Sequence, residues 1–324
     1  MRPLNGVYSA PGWLRGGHAQ TIYPFLVRRP RVTYLRQRID TPDGDFIDFD
    51  WLATDTAQSD APLVVLLHGL EGNSGSHYAL ALMAHLSSIG WRGVAPHFRG
   101  CSGELNRRPR AYHSGDHSEV GWMLHTIRKL APDVPLFAAG VSLGASALLN
   151  WLGREEHRAA DILAAAAAVS TPLDLTAAGI AIEQGLNRIY SWHFRTTLVP
   201  KALAMARRFP GTLDPAAIAR VDSMHSFDDV VTAPLHGFSG ADDYWRRASS
   251  KPWLKAVTVP TLVLNARNDP FIPAASLPTR AEASAAITLE QPEGGGHGGF
   301  PHEGIAARLD WLPRRMVAFF SGKT

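Results

Sequence analysis

The chain has 324 residues, 45% of them hydrophobic, with a formal net charge of only +3. That length carries one large α/β domain with an insertion, and the absence of a Lys/Arg block argues against a nucleic-acid surface. The single cysteine, Cys101, excludes an intrachain disulfide and any cysteine-built metal site, and it fits a reducing compartment. No apolar run nears the ~20 residues of a membrane span. Met1 to Gly6 are followed by no apolar signal core, so a soluble, cytoplasmic protein is expected.

In chain order, residues 32–39 and 46–52 flank Thr41-Pro42-Asp43-Gly44 and predict a hairpin. Residues 63–67 are continuously apolar, as a strand buried on both faces must be, and run into His68-Gly69-Leu70-Glu71-Gly72. A helix over 78–88, a strand over 93–96, a helix over 118–130 and strands ending near 141, 169, 265 and 290 continue the alternation. A helix over roughly 305–320 closes it. This is the form of a mostly parallel sheet flanked by helices, expected here as one domain over residues 1–324. Between 173 and 255 the alternation lapses into helix formers and aromatics, which predicts a helical cap inserted after the sixth strand and walling an apolar pocket.

The run from Val134 leads straight into Gly140-Val141-Ser142-Leu143-Gly144, the G-x-S-x-G pattern of a nucleophile elbow. Strand must become helix within about two residues there, so small neighbours are needed for Ser142 to stand clear of the sheet. A serine hydroxyl needs a base, and the base needs a carboxylate to fix its tautomer. Asp269, after the strand at 261–265, is the expected acid, with an Asx turn before Pro270 as its structural alternative and Asp174 in reserve. His297, in Gly294-Gly295-Gly296-His297-Gly298-Gly299, is the expected base; His302 is read as a solvated or capping residue at the start of the final helix. The backbone N–H groups of Leu70 and Leu143 are the expected oxyanion donors, with the Glu71 carboxylate turned away from the forming charge. His113-Ser114-Gly115-Asp116-His117 has a metal-like spacing without a third ligand group, so no metal is expected.

With these residues in place, longer stretches resemble the YheT-like group of α/β-hydrolases, related to eukaryotic α/β-hydrolase-domain lipid esterases and yeast medium-chain fatty-acid ethyl ester synthase/esterases. The carrying pieces are Gly16-Gly17-His18-Ala19-Gln20-Thr21, the His68 to Gly72 loop, Phe98-Arg99-Gly100-Cys101-Ser102-Gly103-Glu104, the elbow, Phe227-Asp228-Asp229, Asn268-Asp269-Pro270-Phe271 and His297-Gly298-Gly299-Phe300. The resemblance implies the α/β-hydrolase fold and a triad on Ser142, Asp269 and His297. It assigns no chemical step to Gly16–Thr21 or to Cys101. Some eukaryotic relatives carry an N-terminal membrane anchor, and nothing in Met1 to Arg15 could serve as one. A His-x4-Asp acyltransferase pattern follows none of the 14 histidines.

The expected activity is therefore serine carboxylester hydrolysis, without a cofactor, of a small-molecule ester with an apolar acyl chain. An acyltransferase or thioesterase would use the same three residues. A non-catalytic binding protein would have no chemical need for all of them.

Overall fold

A computed structural model of the protein describes residues 8–53, 58, 60–304 and 306–322. The leader reading at Met1 to Gly6 and the expected helix start at Ile305 lie outside them. Eight strands form one sheet in the order β1-β2-β4-β3-β5-β6-β7-β8. They are β1 (Tyr34–Asp40), β2 (Phe46–Leu52), β3 (Leu63–Leu67), β4 (Arg92–Pro96), β5 (Leu136–Val141), β6 (Ala165–Val169), β7 (Thr261–Leu264) and β8 (Ile287–Glu290). β1 and β2 form the expected hairpin, β2 runs antiparallel to β4, and the remaining pairs are parallel.

Alternation along β3 shows why its run is continuously apolar. Leu63, Val65 and Leu67 pack on one side with Val120, Met123 and Leu124 of α3 (His117–Leu130) and Leu148 and Trp151 of α4 (Leu143–Glu155). Val64 and Leu66 point to the other, against Leu82, Met83 and Leu86 of α2 (His77–Ser88) and the C-terminal helix (Trp311–Phe320). Truncating any of these buried leucines to alanine would cost about 2–5 kcal/mol. α1 (Gly17–Leu26) lies ahead of the sheet.

Two boundaries differ from the sequence expectation. The sixth strand, which the apolar run predicts over 162–169, begins at Ala165 because residues 156–161 form a 3-10 turn, closed by the Ile162 N–H to the Ala159 carbonyl at 3.1 Å. The last helix begins only at Trp311. Glu303 and Gly304 take positive φ values of 48° and 79°, which folds the chain back so that His302 and Arg308 pair as an isolated antiparallel bridge.

Between β6 and β7 the chain is helical, as expected: α5 (Leu175–Ile182), α6 (Arg188–Arg208), α7 (Pro215–Ala219), α8 (Met224–Phe227), α9 (Ala233–His236) and α10 (Ala241–Ala248). This layer has its own core, with Leu198 and Ala202 of α6 against Ile218, Phe227 and Val231. Among the described residues no helix is long and apolar enough to cross a membrane.

Candidate active site

Ser142 sits between the end of β5 and the start of α4 at φ 56° and ψ −121°. A non-glycine residue there stores about 1–3 kcal/mol of backbone strain, which the surroundings must over-determine. They do so with the Ser142 N–H donating to Val169 O at 2.9 Å and the Ser142 carbonyl accepting from Ala145 and Ser146 at 3.0 and 3.1 Å. The elbow glycines are small because the backbones touch: a Cβ on Gly140 would lie 2.5 Å from Ala145 Cα, and one on Gly144 would lie 2.4 Å from the His68 carbonyl.

Asp269 follows β7, its side chain fully buried, with Oδ2 2.8 Å from His297 Nδ1. Its Oδ1 accepts the Phe271 N–H at 2.8 Å, so the Asx-turn reading and the imidazole contact hold together, one on each oxygen. The His297 ring packs against Phe271 with centroids 4.4 Å apart. The other candidates lie elsewhere. Asp174 is the N-cap of α5, accepting from Ala177 N at 3.0 Å. His302 is buried rather than solvated, nine residues before the last helix, with Nε2 2.7 Å from Oδ1 of Asp310, the N-cap of that helix. The His113 ring lies 4.4 Å from that of His236 and tilted to it, and burial lowers its pKa to about 4. No three His, Cys, Asp or Glu side chains are grouped as a metal would need among the described residues.

The amides of Leu70 and Leu143 have no hydrogen-bond acceptor among the described residues. Leu143 opens α4, where the helix dipole favours negative charge. The Leu70 amide is bracketed by two pinned neighbours: Gly69 N–H donates to Tyr78 Oη at 2.9 Å and Glu71 N–H to Tyr112 Oη at 2.7 Å. His68 bonds through Nδ1–H to Gly69 O and accepts the Phe98 N–H on Nε2, and burial lowers its pKa to about 3, so it stays neutral. Glu71 departs from expectation: it borders the same cavity as Ser142, with its carboxylate taken by Tyr112 Oη at 3.0 Å and Lys201 Nζ of α6 at 2.8 Å. The negative charge is met by a cap lysine instead of being turned away.

Ser142 and His297 line one cavity of about 190 Å³. Its walls are mostly apolar and come largely from the cap, with Phe194, Leu198, Met205 and Phe227 lining it alongside Leu143 and Phe271. The sequence reading missed Tyr78, Tyr112 and Lys201, since nothing in their spacing ties them to residues 69–71.

The family model described as alpha/beta hydrolase fold matches residues 62–303. The chain belongs to the α/β-hydrolase family. This α/β-hydrolase is 36% identical over 314 residues to YheT of Escherichia coli (strain K12), an esterase by name, covering 93% of this chain and 91% of that one. It is 34% identical over 317 residues to the human phospholipase ABHD3, covering 95% and 76%. It therefore falls in the YheT-like group. Among solved structures, the α/β-hydrolase fold is shared with Est1E of Butyrivibrio proteoclasticus, bound to ferulic acid, at a TM-score of 0.57 and 16% identity over 89% of this chain and 98% of that one. The Pyrococcus furiosus esterase Pf2001 matches at 0.55 and 14% over 92% and 99%.

Proposed function

We propose that Ser142, His297 and Asp269 are the nucleophile, base and acid of this carboxylic ester hydrolase, and that its substrates carry an apolar acyl chain. Relatives named esterase, phospholipase and monoacylglycerol lipase support the ester-hydrolase class. The observation that carries the residue assignment is one constellation: a strained serine at a helix N-terminus sharing an apolar cavity with an imidazole whose Nδ1 is 2.8 Å from a buried carboxylate.

In this reading His297 Nε2 takes the Ser142 proton as Oγ attacks the ester carbonyl carbon. Asp269 holds the Nδ1–H tautomer and stabilises the imidazolium. The oxyanion is met by the Leu70 and Leu143 N–H groups. As the tetrahedral intermediate collapses, the C–O bond to the alcohol breaks and His297 returns the proton to it. Water, deprotonated by His297, then attacks the acyl-enzyme and releases the carboxylic acid and Ser142.

The test is hydrolysis of a chain-length series of p-nitrophenyl esters, with fluorophosphonate labelling alongside. Ser142→Ala should abolish both in a folded protein, and His297→Ala should lower kcat by several orders of magnitude while His302→Ala should not. Strong labelling of Ser142→Ala, or equal losses from the two histidines, would overturn the assignment.

A further inference from the structure

The loop that carries His297 has no regular secondary structure, and Gly295, Gly296 and Gly298 take φ values of 142°, 61° and 65°. So glycine-rich a segment loses much entropy on ordering and has no ladder to hold it. Four consecutive N–H groups in it nevertheless all donate to side chains. Gly295 N–H goes to Gln20 Oε1 at 2.7 Å, Gly296 to Asn268 Oδ1 at 3.1 Å, His297 to Thr21 Oγ1 at 2.9 Å and Gly298 to Ser170 Oγ at 2.9 Å. Gln20 Oε1 also accepts from Asn268 Nδ2 at 3.0 Å, and its own amide donates to Leu14 O at 2.8 Å. Gln20 thus joins the loop before the acid to the loop of the base, and both Gln20 and Thr21 are buried.

Resting on the triad reading, we propose that Gln20 and Thr21, with Asn268 and Ser170, are positioning residues: a side-chain cradle that holds His297 at its working distance from Ser142 and Asp269. This gives the Gly16–Thr21 segment its role. Thr21→Val keeps the shape and removes the acceptor, whereas Thr21→Ser keeps the acceptor. A displacement near 1 Å at a catalytic group costs on the order of a hundredfold. Thr21→Val should therefore lower kcat about tenfold to a hundredfold with KM within about twofold, slow fluorophosphonate labelling in proportion per folded molecule, and be rescued by Thr21→Ser. Unchanged labelling per folded molecule in both Thr21→Val and Ser170→Ala, even with a lowered Tm, would reduce the cradle to a structural role and overturn the proposal. If His297→Ala itself kept full activity, the triad reading would be the part that failed.

The opposite face of α1 is a separate matter. Ile22, Phe25 and Leu26 of α1 and Ile189 and Trp192 of α6 are all 43–77% exposed. The two helices meet where the His18 and Tyr190 rings stack, beside Phe271 and so beside His297. Arg15, Arg28, Arg29 and Arg31, all exposed, flank α1 with no acid between residues 8 and 39, and exposed Arg188 opens α6 beside Ile189, in a protein whose net charge is only +3. We infer that this face docks on an anionic lipid surface, with the apolar side chains in the interface and Arg28, Arg29 and Arg31 at its rim.

Co-sedimentation with phosphatidylcholine vesicles, with and without about 30 mol% phosphatidylglycerol, tests it. Binding should require the anionic lipid and weaken with salt. The Leu26→Ser/Trp192→Ser variant should bind about tenfold more weakly while hydrolysing a soluble short-chain ester at the wild-type rate. Absence of vesicle binding, equal binding by the variant, or a dimer in sedimentation that the variant dissolves would overturn the inference.

Discussion

Gly17→Ala is a substitution whose sign the structure reverses. In an exposed first turn, alanine for glycine is neutral or stabilising by up to about 1 kcal/mol. Here the added Cβ would lie 1.8 Å from the Asn268 carbonyl oxygen, against the 3.0 Å below which real contacts essentially never fall. Something must move by about 1.2 Å, and both partners are backbone of structured segments. Asn268 precedes the proposed acid, so the shift passes to Asp269 and through its 2.8 Å bond to His297. A displacement of that size predicts a kcat roughly a hundredfold lower, with KM changed less because most of the cavity wall comes from the cap. The assay is steady-state hydrolysis of p-nitrophenyl butyrate beside a thermal melt. Gly12→Ala, with nothing within 4 Å, is the matched control and should behave as wild type. A Gly17→Ala protein with normal kcat and a raised Tm would refute the reasoning.

Asp269→Asn should lower kcat by about 10³ to 10⁴ with little change in KM, and Asp174→Asn should stay within about tenfold of wild type, since Asp174 caps α5. The opposite pattern would move the acid. Stability should also fall with acidification: burial lowers the pKa of His68, His77 and His236 to about 3 and that of His113 to about 4. Below about pH 6.5 the unfolded chain protonates these groups while the folded one does not, a loss of about 2 kcal/mol per histidine by pH 5. Glu119 and Asp228, raised by burial to about 7 and 6, take up protons in the folded state and offset part of it. Four histidines outweigh two carboxyls, so a urea midpoint at pH 5 equal to or above that at pH 7.5 would contradict this balance.

The parallel strands were legible because burial on both faces forces an uninterrupted apolar run, as in Leu63–Leu67. The elbow was legible for a similar reason: Gly140 and Gly144 sit against backbone atoms and admit no side chain, so the constraint is written in single residues. Interactions between distant segments leave no such mark. Lys201 meets Glu71 across 130 positions of chain, and neither residue type differs from a solvated one in sequence. His302 was misplaced because the turn at Glu303 depends on a positive φ that a glutamate does not advertise. The cap was legible only as a lapse in alternation, since even its longest helix, α6, buries only Ser191, Leu198, Ala202 and Ala206.

Tyr8 Oη bonds the carbonyl of Pro301, 293 residues away, and Gln20 and Thr21 bond Gly295 and His297, 275 and 276 residues away. On the ribosome, at roughly 5–20 residues per second, α1 emerges about 15 to 55 seconds before the loop it holds. Throughout that interval Gln20 and Thr21 lack the loop that they bond in the folded protein. Sheet and elbow can assemble while translation continues, but the proposed site becomes complete only when α1 meets a loop made about 275 residues after it.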